Sequence, residues 1–202
     1  MSVKIAKIAN SYRFNKMIFM DKLLQTYLGL HQILQDKIGR FIAWGVLSLV
    51  IITALVVVLR YGFDTGSIAM QQAITYNHAI LFMLGITYTY LHDEHVRVDV
   101  FYSRYSAERK HWINLIGSIL FTIPMTLFIL WSSWEYVSNS WAIGEGSAES
   151  GGIGYVYLLK TLIPVMASLL FLQALAIIGK NWLAIREHRN DDDKPVTQGG
   201  KL

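Results

Sequence analysis

Residues 41–59 read FIAWGVLSLVIITALVVVL and hold no charged side chain. As an α-helix the run would be roughly 28 Å long, about the thickness of the hydrocarbon core of a bilayer. Three further segments repeat the pattern. They are 73–91 (AITYNHAILFMLGITYTYL), 112–134 (WINLIGSILFTIPMTLFILWSSW) and 155–179 (YVYLLKTLIPVMASLLFLQALAIIG), the last with a single Lys near its start. Backbone N–H and C=O groups in lipid must be paired within their own segment, so each is expected to be a helix.

Composition agrees. The chain has 202 residues, 53% hydrophobic and 16% charged, whereas a soluble domain is about a quarter charged. It has no cysteine, which excludes disulfides and thiolate metal sites. The cations cluster between the apolar runs. Segment 1–40 has seven (Lys4, Lys7, Arg13, Lys16, Lys22, Lys37, Arg40), 92–111 has four (Arg97, Arg104, Arg109, Lys110), and 180–202 has five (Lys180, Arg186, Arg189, Lys194, Lys201). Only Arg60 and Lys160 remain, each at a span end. The positive-inside rule then places both termini in the cytoplasm and 60–72 and 135–154 outside. Trp131, Trp134 and Trp141 fit an outer aromatic belt, and Trp44, Trp112 and Trp182 an inner one. The net charge of +4 is mostly loop charge, and no nucleic acid is expected among the partners.

The expected fold is an all-α membrane protein with four transmembrane helices over 40–183. A cytoplasmic segment, 1–39, precedes them. Within it, Met20, Leu23, Leu24, Tyr27, Leu28, His31 and Leu34 recur at helical spacing. This predicts an amphipathic interfacial helix over about 17–38; the alternative is a cytosolic helix packed on a partner. The basic N-terminus lacks a signal-peptide cleavage pattern and is expected to be retained. The polar stretch 184–202 is expected to be a disordered tail.

Two clusters invite a chemical reading. Glu145 and Glu149 lie four apart in SWAIGEGSAESGG, residues 140–152. Paired carboxylates serve glycosidases, but a Gly/Ser-rich loop supplies no walled pocket, so folding back on the helix ends or docking a partner is preferred to catalysis. LHDEHVRVDV, 91–100, holds His92 and His95 three apart with no third His nearby. That spacing differs from the zinc motif H-E-x-x-H, and an ion-paired loop is expected. His78 is the one His inside a span, so a bis-His haem lacks its second ligand. No cofactor or metal is expected. No span carries a central carboxylate, Lys or Arg, where carriers acting alone place ionisable groups. These observations describe a membrane subunit without its own transport machinery. A haem-carrying membrane anchor of a redox enzyme and a small stand-alone exporter are the alternatives.

HVRVDVFYSRYS at 95–106, Pro124, YVSNSW at 136–141, Glu145 with Ser147, Gly151–Gly152, and YLLKTLIP at 157–164 followed by Gln173 resemble the small membrane subunit, DctQ-like, of tripartite ATP-independent periplasmic (TRAP) transporters. The resemblance covers roughly residues 40–182. It implies a non-enzymatic subunit of the bacterial inner membrane, multi-pass, in the form separate from the large subunit. The small subunit would scaffold a large TRAP membrane subunit that imports an organic anion, delivered by a periplasmic solute-binding receptor, on an ion gradient. It also implies structural roles for His95, Arg97 and Asp99 in the inner loop. Structural or docking roles fall to Ser140, Trp141, Glu145, Ser147, Gly151, Gly152 and Lys160 at the outer one. Glu145 is expected to make a charge-assisted contact, Lys160 being the nearest candidate. Pro124 is expected to kink its helix, and the small residues Gly45, Ser48 and Gly85 are candidates for the contact with the large subunit.

Overall fold

The structure is a computed structural model that describes residues 2–91 and 102–192. Among these, every regular element is a helix. Helix α1 is Ser2–Gly62, α2 is Ile68–Leu91, α3 is Ala107–Ala142 and α4 is Val156–Asp192. Helices α1, α3 and α4 are long and apolar enough to cross a membrane. Helix α2 has 24 residues, but Gln71, Gln72, Asn77 and His78 dilute its apolar character.

Helix α3 begins at a Ser106 cap, whose side chain accepts a hydrogen bond from the Arg109 N–H, satisfying one of the free donors of a helix start. Its middle is a π-helical turn, Ser118–Thr122, in which the Ile123 N–H reaches back to the Ser118 carbonyl. Pro124 follows at once. Proline has no N–H to return to the Leu120 carbonyl, so regular α pairing fails here, and the extra residue of the π turn shifts the register.

Helix α4 is the hub and packs on α1, α2 and α3. Over 167–181 its buried side chains are small or polar: Ala167, Gln173, Ala174, Ala176 and Asn181. Large apolar side chains point outward instead, among them Phe41, Trp44, Val50, Ile51, Phe121 and Trp131. This is the reverse of a soluble core. Lipid is as apolar as Leu, so helices in a bilayer gain by close backbone approach and hydrogen bonds. Thr87, Thr126 and Ser133 are buried because each returns its hydroxyl to a carbonyl three or four residues back.

Two expectations change. The interfacial segment 17–38 and the first span form one unbroken helix, α1. A single Gly39 and Arg40 do not stop a helix that has no proline nearby. At 61 residues α1 is about 90 Å long, so only about a third of it can lie in the hydrocarbon. The stretch over 27–35 packs along the bundle. The Tyr27 hydroxyl donates to the Leu172 carbonyl at 2.7 Å, and the Thr87 hydroxyl shares its proton between the Leu84 carbonyl at 2.8 Å and the buried Gln35 Oε1 at 3.1 Å. At the other end, α4 continues to Asp192, so residues 184–192 are helical where a disordered tail was expected. Gly45, Ser48 and Gly85 lie in the seam between α1 and α2. The Asn77 side-chain amide donates to the Gly45 carbonyl at 3.3 Å and to Ser48 Oγ at 2.6 Å, and Gly85 faces Ile42. These small residues sit where two helices of this chain meet.

Candidate functional site

The densest polar constellation gathers around the α3–α4 loop. Its foundation is the last turn of α3, where Ser140 is buried and donates to Glu145 Oε2 at 2.6 Å. The chain turns at Ile143, and the Glu145 N–H closes the turn onto the Ser140 carbonyl at 3.0 Å. This reversal carries the Glu145 carboxylate back over the first turn of α4, where Lys160 Nζ donates to the same Oε2 at 2.5 Å. The ammonium also lies 4.0 Å from the centre of the Tyr136 ring, a cation–π geometry. The hydrogen bond from Lys160, then that from Ser140, hold the Glu145 carboxyl below its usual range. Trp141 adds a second clamp between the same helices: its indole N–H donates to Thr161 Oγ1 at 2.8 Å, and its ring meets Tyr157 edge-on at 4.7 Å.

The far half of the loop is tied to a different helix. Gln72, on α2, donates through Nε2 to Ser147 Oγ at 2.7 Å and accepts through Oε1 from the Ile153 N–H at 2.7 Å. Gly151 makes the intervening turn with φ +80°, a conformation that costs glycine little. At Gly152 the constraint is space, since a Cβ there would collide with the Ser147 side chain and stand 2.7 Å from Gln72 Oε1. The arrangement is a three-helix clasp joining α2, α3 and α4. Its polar groups pair with one another: Ser140 and Lys160 with Glu145, Trp141 with Thr161, and Gln72 with Ser147 and Ile153. Among the described residues no group of three metal-ligating side chains comes together.

A family model, Tripartite ATP-independent periplasmic transporters, DctQ component, matches residues 49–184, well over half of the chain. The chain belongs to the DctQ family. No curated protein sequence matches it closely enough to add to that assignment. DctQ components are membrane subunits of TRAP transporters and are not enzymes; they function with a large membrane subunit and a periplasmic receptor.

In this DctQ chain the motif residues Ser140, Trp141, Glu145, Ser147, Gly151, Gly152 and Lys160 are brought together around one loop. Glu149 has an exposed side chain and joins the clasp through its backbone: its N–H donates to Ser147 Oγ at 3.1 Å and its carbonyl accepts from the Gly152 N–H at 3.1 Å. His95, Arg97 and Asp99 lie outside the described residues. Within the span expected over 73–91, Asn77 reaches across to α1, while His78 is exposed and stacks on Phe82. Sequence reasoning missed Gln72, Tyr136 and Thr161. Gln72 sits 75 and 81 residues from its two partners, and no local pattern marks such a pairing.

Proposed function

We propose that this chain is the scaffold subunit of a TRAP-type secondary transporter of the bacterial inner membrane. It crosses four times, α2 included, with both termini in the cytoplasm. It holds the large membrane subunit, which carries an organic anion inward on an ion gradient after a periplasmic receptor delivers it. The observation that carries this reading is where the chain keeps its apolar bulk. On α1, Phe41, Trp44, Val50 and Ile51 are all more than half exposed, while the middles of the four apolar runs, 41–59, 73–91, 112–134 and 155–179, hold no carboxylate, Lys or Arg. A subunit built this way offers lateral packing surface and no intramembrane charge for a solute or ion to meet.

With Gly45 and Ser48 committed to α2, the contact with the large subunit moves to that exposed face of α1. Aromatic and branched side chains there supply packing area. The test is co-expression of the tagged chain with a large TRAP membrane subunit. A stable pair that takes up solute with its receptor, and no uptake by this chain alone in liposomes, is expected. Uptake by the chain alone refutes the reading.

A further inference from the structure

At the end of the bundle away from the α3–α4 loop, a cleft of about 880 Å³ opens between α1, α3 and α4. Its polar lining is incomplete. His31 is 6% exposed and Gln173 1% exposed, yet neither ring nitrogen of His31 nor Oε1 of Gln173 has a hydrogen-bond partner among the described residues. Both line the cleft. Buried polar groups left unpaired cost free energy comparable to a lost hydrogen bond, so a native structure that keeps three such atoms on residues lining one cleft points to something that meets them.

Charge narrows the choice. Lys110 and Lys180 stand on the lining, and no carboxylate is among the described residues there. Depth narrows it further. Trp112 and Trp182, each within two residues of one of these lysines, are exposed, and tryptophans mark the headgroup level of a membrane. From the cleft, the exposed Ile113, Ile116 and Leu120 continue along α3, an apolar track suited to acyl chains.

We propose that this cleft binds one anionic phospholipid by its headgroup. The ligand chemistry is a phosphate diester beside a hydroxyl. The two ammonium groups and the His31 N–H donate to the phosphate oxygens, and Gln173 Oε1 accepts from a headgroup hydroxyl. A free phosphate would satisfy the donors but would leave the Gln173 oxygen and the apolar track unused. The site needs only that the chain spans a bilayer and is separate from the scaffold role.

The experiment is native mass spectrometry of the full chain in detergent, with dioleoylphosphatidylglycerol, dioleoylphosphatidylcholine or inorganic phosphate added. The expected result is one retained phosphatidylglycerol per chain, preferred over phosphatidylcholine and not displaced by phosphate. Two surface cations near a membrane account for roughly a thirtyfold change in retention, so the Lys110→Gln/Lys180→Gln variant retains that much less. The control variant Lys22→Gln/Lys37→Gln, outside the cleft, retains it as the natural chain does. Gln173→Leu, which removes the unpaired oxygen and conserves volume, narrows the preference for phosphatidylglycerol and leaves thermal stability intact. Equal retention by the two lysine variants, equal retention of the two lipids, or displacement by inorganic phosphate overturns the proposal.

Discussion

Replacing Gln72 by Leu tests whether the clasp is held from α2. The side chain makes two hydrogen bonds of 2.7 Å, one to Ser147 and one from the Ile153 N–H. A typical hydrogen bond contributes about 1 kcal/mol net, and a buried donor left without a partner costs about 1–3 kcal/mol. Both loop partners are half-buried, so water recovers part of the loss. The far half of the loop should therefore be destabilised by about 2–3 kcal/mol. At about 1.4 kcal/mol per decade, the Ile153 amide should exchange hydrogen roughly thirty- to a hundredfold faster in Gln72→Leu. Amides around Ala174, buried in α4, should not change. Gln72→Glu keeps an acceptor for Ile153, and the Ser147 hydroxyl can rotate to donate to the other oxygen, so most of the protection should return. A change under about threefold in the Leu variant, below what one net hydrogen bond contributes, or equal exchange in the Leu and Glu variants, refutes the clasp.

Further outcomes follow from the same geometry. Gly152→Ala should mimic Gln72→Leu by wedging Ser147 from Gln72, and the double variant should be less than additive, as coupled neighbours are; full additivity of the exchange rates would contradict this. Glu145→Gln should lower the thermal midpoint at neutral pH. Because the carboxyl is held below its usual range, its contribution is present above about pH 4.5 and is lost as the pH falls through the lowered value; the two midpoints should converge in acid, and a gap that widens there counts against the pair. Asn77→Leu should cost about 1 kcal/mol, the scale of an interhelical hydrogen bond in a membrane, read as a modest drop in thermal midpoint. Phe41→Ala with Trp44→Ala should reduce co-purification with the large subunit without changing the midpoint of this chain alone, whereas Gly45→Ile should lower that midpoint, since even a Cβ there meets Leu81 at 2.6 Å.

How far the sequence could be read depended on the range of the interaction. Apolar run length places α3 and α4 well, because the cost of burying backbone and charge in lipid acts residue by residue. The pairing of Glu145 with Lys160 was within reach for a related reason: a carboxylate and a lone ammonium flank the same short connection, and their opposite charge leaves few other arrangements. Face assignment was not within reach. Gly45, Ser48 and Gly85 are small on whichever side they point, and only the position of Asn77 on the neighbouring helix decides that they close a seam within the chain. The continuity of α1 through Gly39 and Arg40 was hidden by a change of composition that looks like a boundary. The helix ignores it because Tyr27, His31 and Gln35 share one face that is held by α4 and α2. Gln72 was silent for want of any local signal, being one glutamine among polar residues at the start of a weakly apolar helix.

The small, hydroxylated interior has a calorimetric consequence. Heat-capacity change on unfolding comes mainly from apolar surface meeting water. When these helices part within a bilayer, what Ala167, Ala174 and Ala176 meet is acyl chain, and the outward Phe and Trp side chains keep the solvent they had. The free-energy curve against temperature should be nearly straight, without the dome of a water-soluble domain, and cooling should tighten the bundle down to the point where the lipid itself freezes.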